Sequence, residues 1–289
     1  MSDPLRAPFI AFGGKRDVAE DVWRRFGRPK QYIEPCCFSA AVLLAAPQSA
    51  SLEVIGDING FVANFWRATV MQPDEVARHA DYPVSHIDLG ARHRWLMEQR
   101  DRLGAELQDP EWPGDAKAAG RWLWGQCAWI GSGWCEWTGK IPHVSDAGQG
   151  ELWTSGGRVA QMWLRKLAAR MERVRVIHGD WTRTLNHHYG GDDTAVFLDP
   201  PYLEYEGLYR AAPCAVEMAA WARENANLRI ALCGHIGDYD LPGWEVFQWS
   251  RKRNTYNGTG TKDAECIWFS PACLKVTTAK QGDLFAGLG

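Results

Sequence analysis

Short apolar runs recur along the chain, and most are followed by a longer stretch in which apolar residues return every three or four positions. The first kind reads as buried strands, the second as helices packed on one face. Strands are expected over 31–35, 51–56, 174–178, 195–198 and 228–233. Helices are expected over 18–26, over 39–46 with Ser39 as N-cap, and over 61–71, 88–107, 157–171 and 215–225. Two more strand-like runs, 246–249 and 264–269, flank Tyr256-Asn257-Gly258-Thr259-Gly260 and read as an antiparallel hairpin. Strands alternating with helices predict an α/β fold with a mostly parallel sheet closed by that hairpin.

The rhythm breaks between 72 and 157. This segment carries a turn-rich patch, Asp109-Pro110-Glu111-Trp112-Pro113-Gly114, then a tryptophan- and glycine-dense run from Trp122 to Trp137. Residues 72–157 therefore read as an inserted domain, dividing a catalytic domain made of 1–71 and 158–289. For any single tryptophan, a place in a small core is the first expectation. One or two on a substrate base would suit aromatics with glycine flexibility.

Composition narrows the class. The 289 residues are 46% hydrophobic and 23% charged, as in an ordinary globular protein. No run approaches the roughly 20 apolar residues of a membrane span. Residues 1–8 hold no apolar signal core, so a cytoplasmic protein, monomeric or weakly dimeric and away from membranes, is expected. The eight cysteines form no C-x-x-C pair, which predicts reduced, mostly buried thiols and no metal site. Net charge is −3. Two basic segments stand out: Arg158, Arg165, Lys166, Arg170, Arg173 and Arg175, and Arg251-Lys252-Arg253. They suit either phosphate contacts through a local field or a solvated helix face and hairpin edge.

Candidate chemistry centres on Asp199-Pro200-Pro201-Tyr202, at the end of the 195–198 run. A carboxylate and a stiffly held carbonyl can accept the two N–H groups of a heterocyclic amine. That draws its lone pair out of the ring and makes it nucleophilic. The prolines fix φ, and Tyr202 offers a stacking face. The same residues also suit a turn with Asp199 as a helix cap. Gly13-Gly14-Lys15 suggests a tight loop exposing N–H groups and one cation. Strand, turn, helix, strand and acid then follow between Glu34 and Asp57, at the spacing of a ribose-binding carboxylate, though an Asx-turn also explains Asp57.

Taken in order, Phe12-Gly13-Gly14-Lys15, Tyr32-Ile33-Glu34-Pro35, Asp57-Ile58-Asn59-Gly60, Gly179-Asp180 and Asp199-Pro200-Pro201-Tyr202 resemble the Dam-like (D12 class) DNA N6-adenine methyltransferases, closest to their phage and prophage branch. The resemblance spans about 9–274. It implies a Rossmann-like methyltransferase fold, S-adenosylmethionine as cofactor, double-stranded DNA as partner and an inserted target-recognition domain. It places Phe12, Gly13, Gly14, Lys15, Glu34, Pro35, Phe38, Asp57, Ile58, Asp180 and Asp199 at the cofactor, and Asp199 to Tyr202 on a flipped adenine. Phosphate contacts fall to Arg158, Arg165, Lys166, Arg251, Lys252 and Arg253. The chain departs from the family pattern at Phe38, which stands where relatives carry glycine. A cofactor-impaired DNA-binding relative, or a modifier using another donor or acceptor, is the alternative expectation.

Overall fold

The structure is a computed structural model and describes residues 5–9, 14–130, 134–135, 143–144, 157–186, 193–201, 215–249 and 265–276. Its strands are β1 (Gln31–Pro35), β2 (Leu52–Asp57), β3 (Trp129–Ile130), β4 (His143–Val144), β5 (Val174–His178), β6 (Thr194–Leu198), β7 (Arg229–His235), β8 (Glu245–Gln248) and β9 (Glu265–Phe269). Its helices are α1 (Ala19–Phe26), α2 (Ala41–Leu44), α3 (Gly60–Met71), α4 (Pro73–Ala80), α5 (His86–Glu106), α6 (Ala116–Ala128), α7 (Gly157–Met171), α8 (Trp181–Leu185) and α9 (Ala215–Glu224).

Among the described residues, seven strands build one mostly parallel sheet in the order β5-β2-β1-β6-β7-β9-β8. The first five are parallel, and β9 runs antiparallel to both β7 and β8. The expected closing hairpin is present in altered form: β9 wedges between β7 and β8, so the later strand is the inner one. The two-residue period of each strand sorts its side chains into two cores. Tyr32, Ile55, Phe197, Ala231 and Cys233 face one cluster, shared with α1, α3, α6 and α7. Ile33, Val54, Val196, Leu198 and Leu232 face the other, with Trp181 and Leu185 of α8 and Met218 of α9. Strands covered on both faces read as continuous apolar runs, which is why they were legible in the sequence.

The 72–130 segment is helical. Val76, Leu89, Leu96, Trp122 and Trp124 belong to the same apolar cluster as Phe65 and Trp66 of α3. The start of α6 is fixed to α3 by reciprocal bonds: Asn64 Nδ2 donates to the Asp115 carbonyl at 3.1 Å, and Asp115 N–H to Asn64 Oδ1 at 2.8 Å. Sequence reasoning missed α4 and α6. Gly125 is required inside α6, because a Cβ would lie 1.8 Å from the Trp134 ring. Trp122 and Trp124 are core residues, and Trp134 is 3% exposed, its indole N–H donating to the Trp122 carbonyl at 3.2 Å.

The expected helix over 39–46 contracts to the four residues of α2, and Ser39 does not cap it. The N-cap is Ala40 at φ 48°, so the chain is still turning where an ordinary helix would begin. At the far side of the sheet Arg170 of α7 clamps Glu53 of β2 through two bonds of 2.7 and 2.8 Å. Among the described residues no helix is long and apolar enough to cross a membrane.

Candidate functional site

Strand order reverses between β1 and β6: β2 and β5 lie to one side, β7 to the other. In open parallel sheets the crevice beyond the carboxyl ends at such a point is where ligands bind. Lys15 and Asp199 meet at the carboxyl end of β6. Lys15 Nζ lies 2.8 Å from Asp199 Oδ1 and 3.0 Å from Oδ2, bridging residues 184 apart in sequence. The Lys15 side chain is 3% exposed and that of Asp199 25%, so the carboxylate keeps a face open to the crevice. Burial alone would lower the Lys15 pKa, but the adjacent carboxylate outweighs it and holds the ammonium above its ordinary range. Pro200 is buried and Pro201 half-buried beyond it.

The β1–α2 turn carries three non-glycine residues at positive φ: Cys36 (62°), Phe38 (37°) and Ala40 (48°). Left-handed backbone costs an L-residue roughly 1–2 kcal/mol, and here tertiary contacts hold it. Cys37 N–H donates to the Gly56 carbonyl at 2.9 Å, and Phe38 N–H to Asp57 Oδ2 at 3.0 Å. The Phe38 carbonyl accepts from Trp66 Nε1 at 2.9 Å. Phe38 thus adopts the conformation glycine would supply. Its ring packs edge-on against Phe9 at 5.5 Å and Trp122 at 6.0 Å, on the helical core.

Asp57 ends β2 with both oxygens engaged: Oδ2 as above, and Oδ1 accepting Asn59 N–H at 2.8 Å. The Asx-turn is therefore present, and each oxygen retains a further lone pair. Burial pushes the Asp57 pKa up to about 6 against those backbone bonds. Ile58 beside it is 42% exposed. Asp180 caps α8, its Oδ1 accepting Thr182 N–H at 2.9 Å. Gly14 lies half-buried before Lys15.

Glu34 and Pro35 sit under the site rather than on its surface, with Glu34 3% exposed. Glu34 Oε2 accepts Tyr32 O–H at 2.8 Å and Leu43 N–H at 3.2 Å, so it anchors α2. Burial raises its pKa to about 8, despite those two bonds. A carboxyl raised in the folded state favours folding fully below its unfolded pKa, and that contribution is lost as pH rises through the folded value. Unfolding free energy is accordingly expected to fall with pH between about 5 and 8, by about 1.4 kcal/mol per pH unit from this group. Glu34→Gln, measured by urea unfolding across that window, should remove this slope.

Two residues missed by sequence reasoning flank Asp199. The β6–β7 register pairs Leu198 with Leu232, which brings Cys233 beside Asp199. Burial, then the Asp199 charge, raises the Cys233 thiol well above its ordinary pKa. Tyr239 donates to the Cys233 carbonyl at 3.4 Å and packs edge-on to Trp268 at 4.9 Å. Only the strand register, not local sequence, brings them to the site. On the opposite side Cys36 is half-buried and feels, after burial, the charges of Asp57, Asp199 and Asp180.

Phe12, Gly13, Tyr202, Arg251, Lys252, Arg253 and the Arg158 side chain lie outside the described residues. Arg165 is not free for phosphate: it makes two bonds to Asp74, at 2.7 and 2.8 Å. Lys166 is exposed on the same helix. No protein-family model matches the chain, and no curated protein matches it.

The charges of Asp57, Asp199 and Asp180 converge on Cys36, while Lys15 pairs with Asp199. A crevice of that sign suits a cationic small molecule. It does not suit a pyrophosphate, which takes helix N-termini and surplus cations, whereas the helix after β1 has four residues and an uncapped start.

Proposed function

We propose that this protein is a DNA adenine-N6 methyltransferase of the Dam-like class, using S-adenosylmethionine on double-stranded DNA. The observation that carries the proposal is the Lys15–Asp199 pair at the point where strand order reverses. It joins Gly14-Lys15 to the Asp199-Pro200-Pro201 strand end in one crevice, beside the Asp57 and Asp180 strand ends. The parallel order β5-β2-β1-β6-β7 is the 3-2-1-4-5 order of a Rossmann-like fold, and the reversed β9 completes the methyltransferase version of it that the resemblance implies. Residues 72–157 are the proposed target-recognition insertion.

S-adenosylmethionine is a sulfonium cation, which the acidic crevice fits, and when bound it supplies an electrophilic methyl group. Asp57 would hold the ribose hydroxyls with its remaining lone pairs, and exposed Ile58 would meet the adenine face. Asp199 accepts one N–H of the target amine and the Pro200 carbonyl the other. Lys15, gripping both Asp199 oxygens, fixes the plane of the carboxylate. Tyr202 is assigned the stacking face under the flipped base. Positioning of this kind can contribute about 7–11 kcal/mol. The Phe38 ring, directed to Phe9 and Trp122, favours an active enzyme over a cofactor-impaired relative. The test is nucleoside mass spectrometry of DNA incubated with protein and isotopically labelled donor. Labelled N6-methyladenine is expected. Unlabelled adenine throughout, with no binding of millimolar S-adenosylmethionine, would refute the proposal.

A further inference from the structure

Helices α5 and α6 bring three cations, Arg92, Lys117 and Arg121, onto aromatic rings. Lys117 and Arg121 stand one turn apart on α6. Both lie over the indole of Trp95 on α5, at 5.1 and 4.3 Å from its centroid. Deeper in the face, Arg92 is 7% exposed and held between the rings of Tyr82 (4.2 Å) and Trp124 (4.4 Å). Its guanidinium donates to the His79 carbonyl at 3.3 Å.

Among the described residues, none of Lys117, Arg121 and Arg92 forms an ion pair. Asp88 acts on Arg92 only through its field, being bonded to Ser85 Oγ at 2.5 Å. Arg78, on α4, is neutralised by Glu75. The crowding of charge is visible at His79, whose pKa is lowered by burial and then by Arg78, Arg121 and Lys117.

Cations held together without counter-charge raise one another's energy, and a bound polyanion relieves that repulsion. Lys117 is exposed and Arg121 half-buried, and the Trp95 ring restrains both, so less side-chain freedom is lost when an anion arrives. A chain of net charge −3 has concentrated positive charge here.

We propose that this α4–α6 face docks the phosphate backbone of duplex nucleic acid, with Lys117 and Arg121 as the phosphate contacts and Arg92 as fixed positive background. For its choice of polyanion the inference rests on the DNA reading above. The surface lies apart from the basic segments singled out in the sequence.

The test is fluorescence anisotropy with a short labelled DNA duplex, titrated between about 50 and 200 mM salt, on the full chain and on Lys117→Gln/Arg121→Gln. Loss of two contacts should make the slope of log affinity against log salt shallower by about 1.8, with binding weaker on the order of tenfold. An unchanged slope overturns the inference. If the double variant fails to fold, hydrogen exchange on the wild type decides: duplex must protect the 115–124 amides, and no protection overturns it. Binding to phosphatidylserine vesicles but not to duplex also overturns it. A wild type that binds duplex steeply with salt but transfers no methyl defeats the catalytic reading alone. A wild type that methylates DNA while the variant keeps its slope defeats this surface alone.

Discussion

Asp199→Asn is expected to abolish methyl transfer, by on the order of 10³-fold or more, while duplex binding persists. The amide turns a donor toward the target amine where the carboxylate accepted, so the lone pair stays delocalised in the ring. The same change removes a negative charge from beside an ammonium that is 3% exposed. A stability loss on the order of 3 kcal/mol should accompany it. Chemistry and stability separate in Lys15→Met/Asp199→Asn, which removes both charges. That double variant should recover most of the urea midpoint and none of the activity. Retention of wild-type turnover by Asp199→Asn would remove Asp199 from the mechanism.

Trp122→Ala carries the largest expected cost to the fold. Trp122 is 1% exposed and makes edge or tilted contacts with Phe9 (5.2 Å), Phe65 (5.5 Å) and Phe38 (6.0 Å). Its truncation should destabilise by about 3–5 kcal/mol, read as a shift of the urea midpoint. Because Phe38 leans on this ring and its N–H holds Asp57, the loss should reach the site as well. Weaker S-adenosylmethionine binding in the folded variant is the accompanying readout. A midpoint shift worth under about 1 kcal/mol would mean that the cluster collapses around the gap.

What could be read from the sequence followed from the sheet. Strands buried on both faces announce themselves as apolar runs, so β1 falls where the pattern placed it and β6 within one residue of it, and the acids at strand ends locate the crevice. Four things were hidden. Helix α6 went unread, because nothing local reveals that Gly125 admits an indole and that Gly120 lies against Val76 and His79 of α4. The helix expected from Ser39 begins later, because nothing local reveals that Asp57 and Trp66 bind the backbone of the turn before it. Cys233 and Tyr239 reach Asp199 only through pairing between distant strands. The inward placement of Glu34 also escaped sequence reasoning, since alternation assigns a face without saying what covers it.

Residue 31 of β1 lies against residue 52 on one side and residue 194 on the other. As the chain leaves the ribosome, that strand gains its first neighbour quickly and waits for the second through the synthesis of every helix from α3 to α8. At about 5–20 residues per second the wait lasts about 7–28 s. Throughout it one hydrogen-bonding edge in the middle of the future sheet stands open to other nascent chains, so the yield of folded protein should depend on how fast that stretch is translated and on which chaperones attend it.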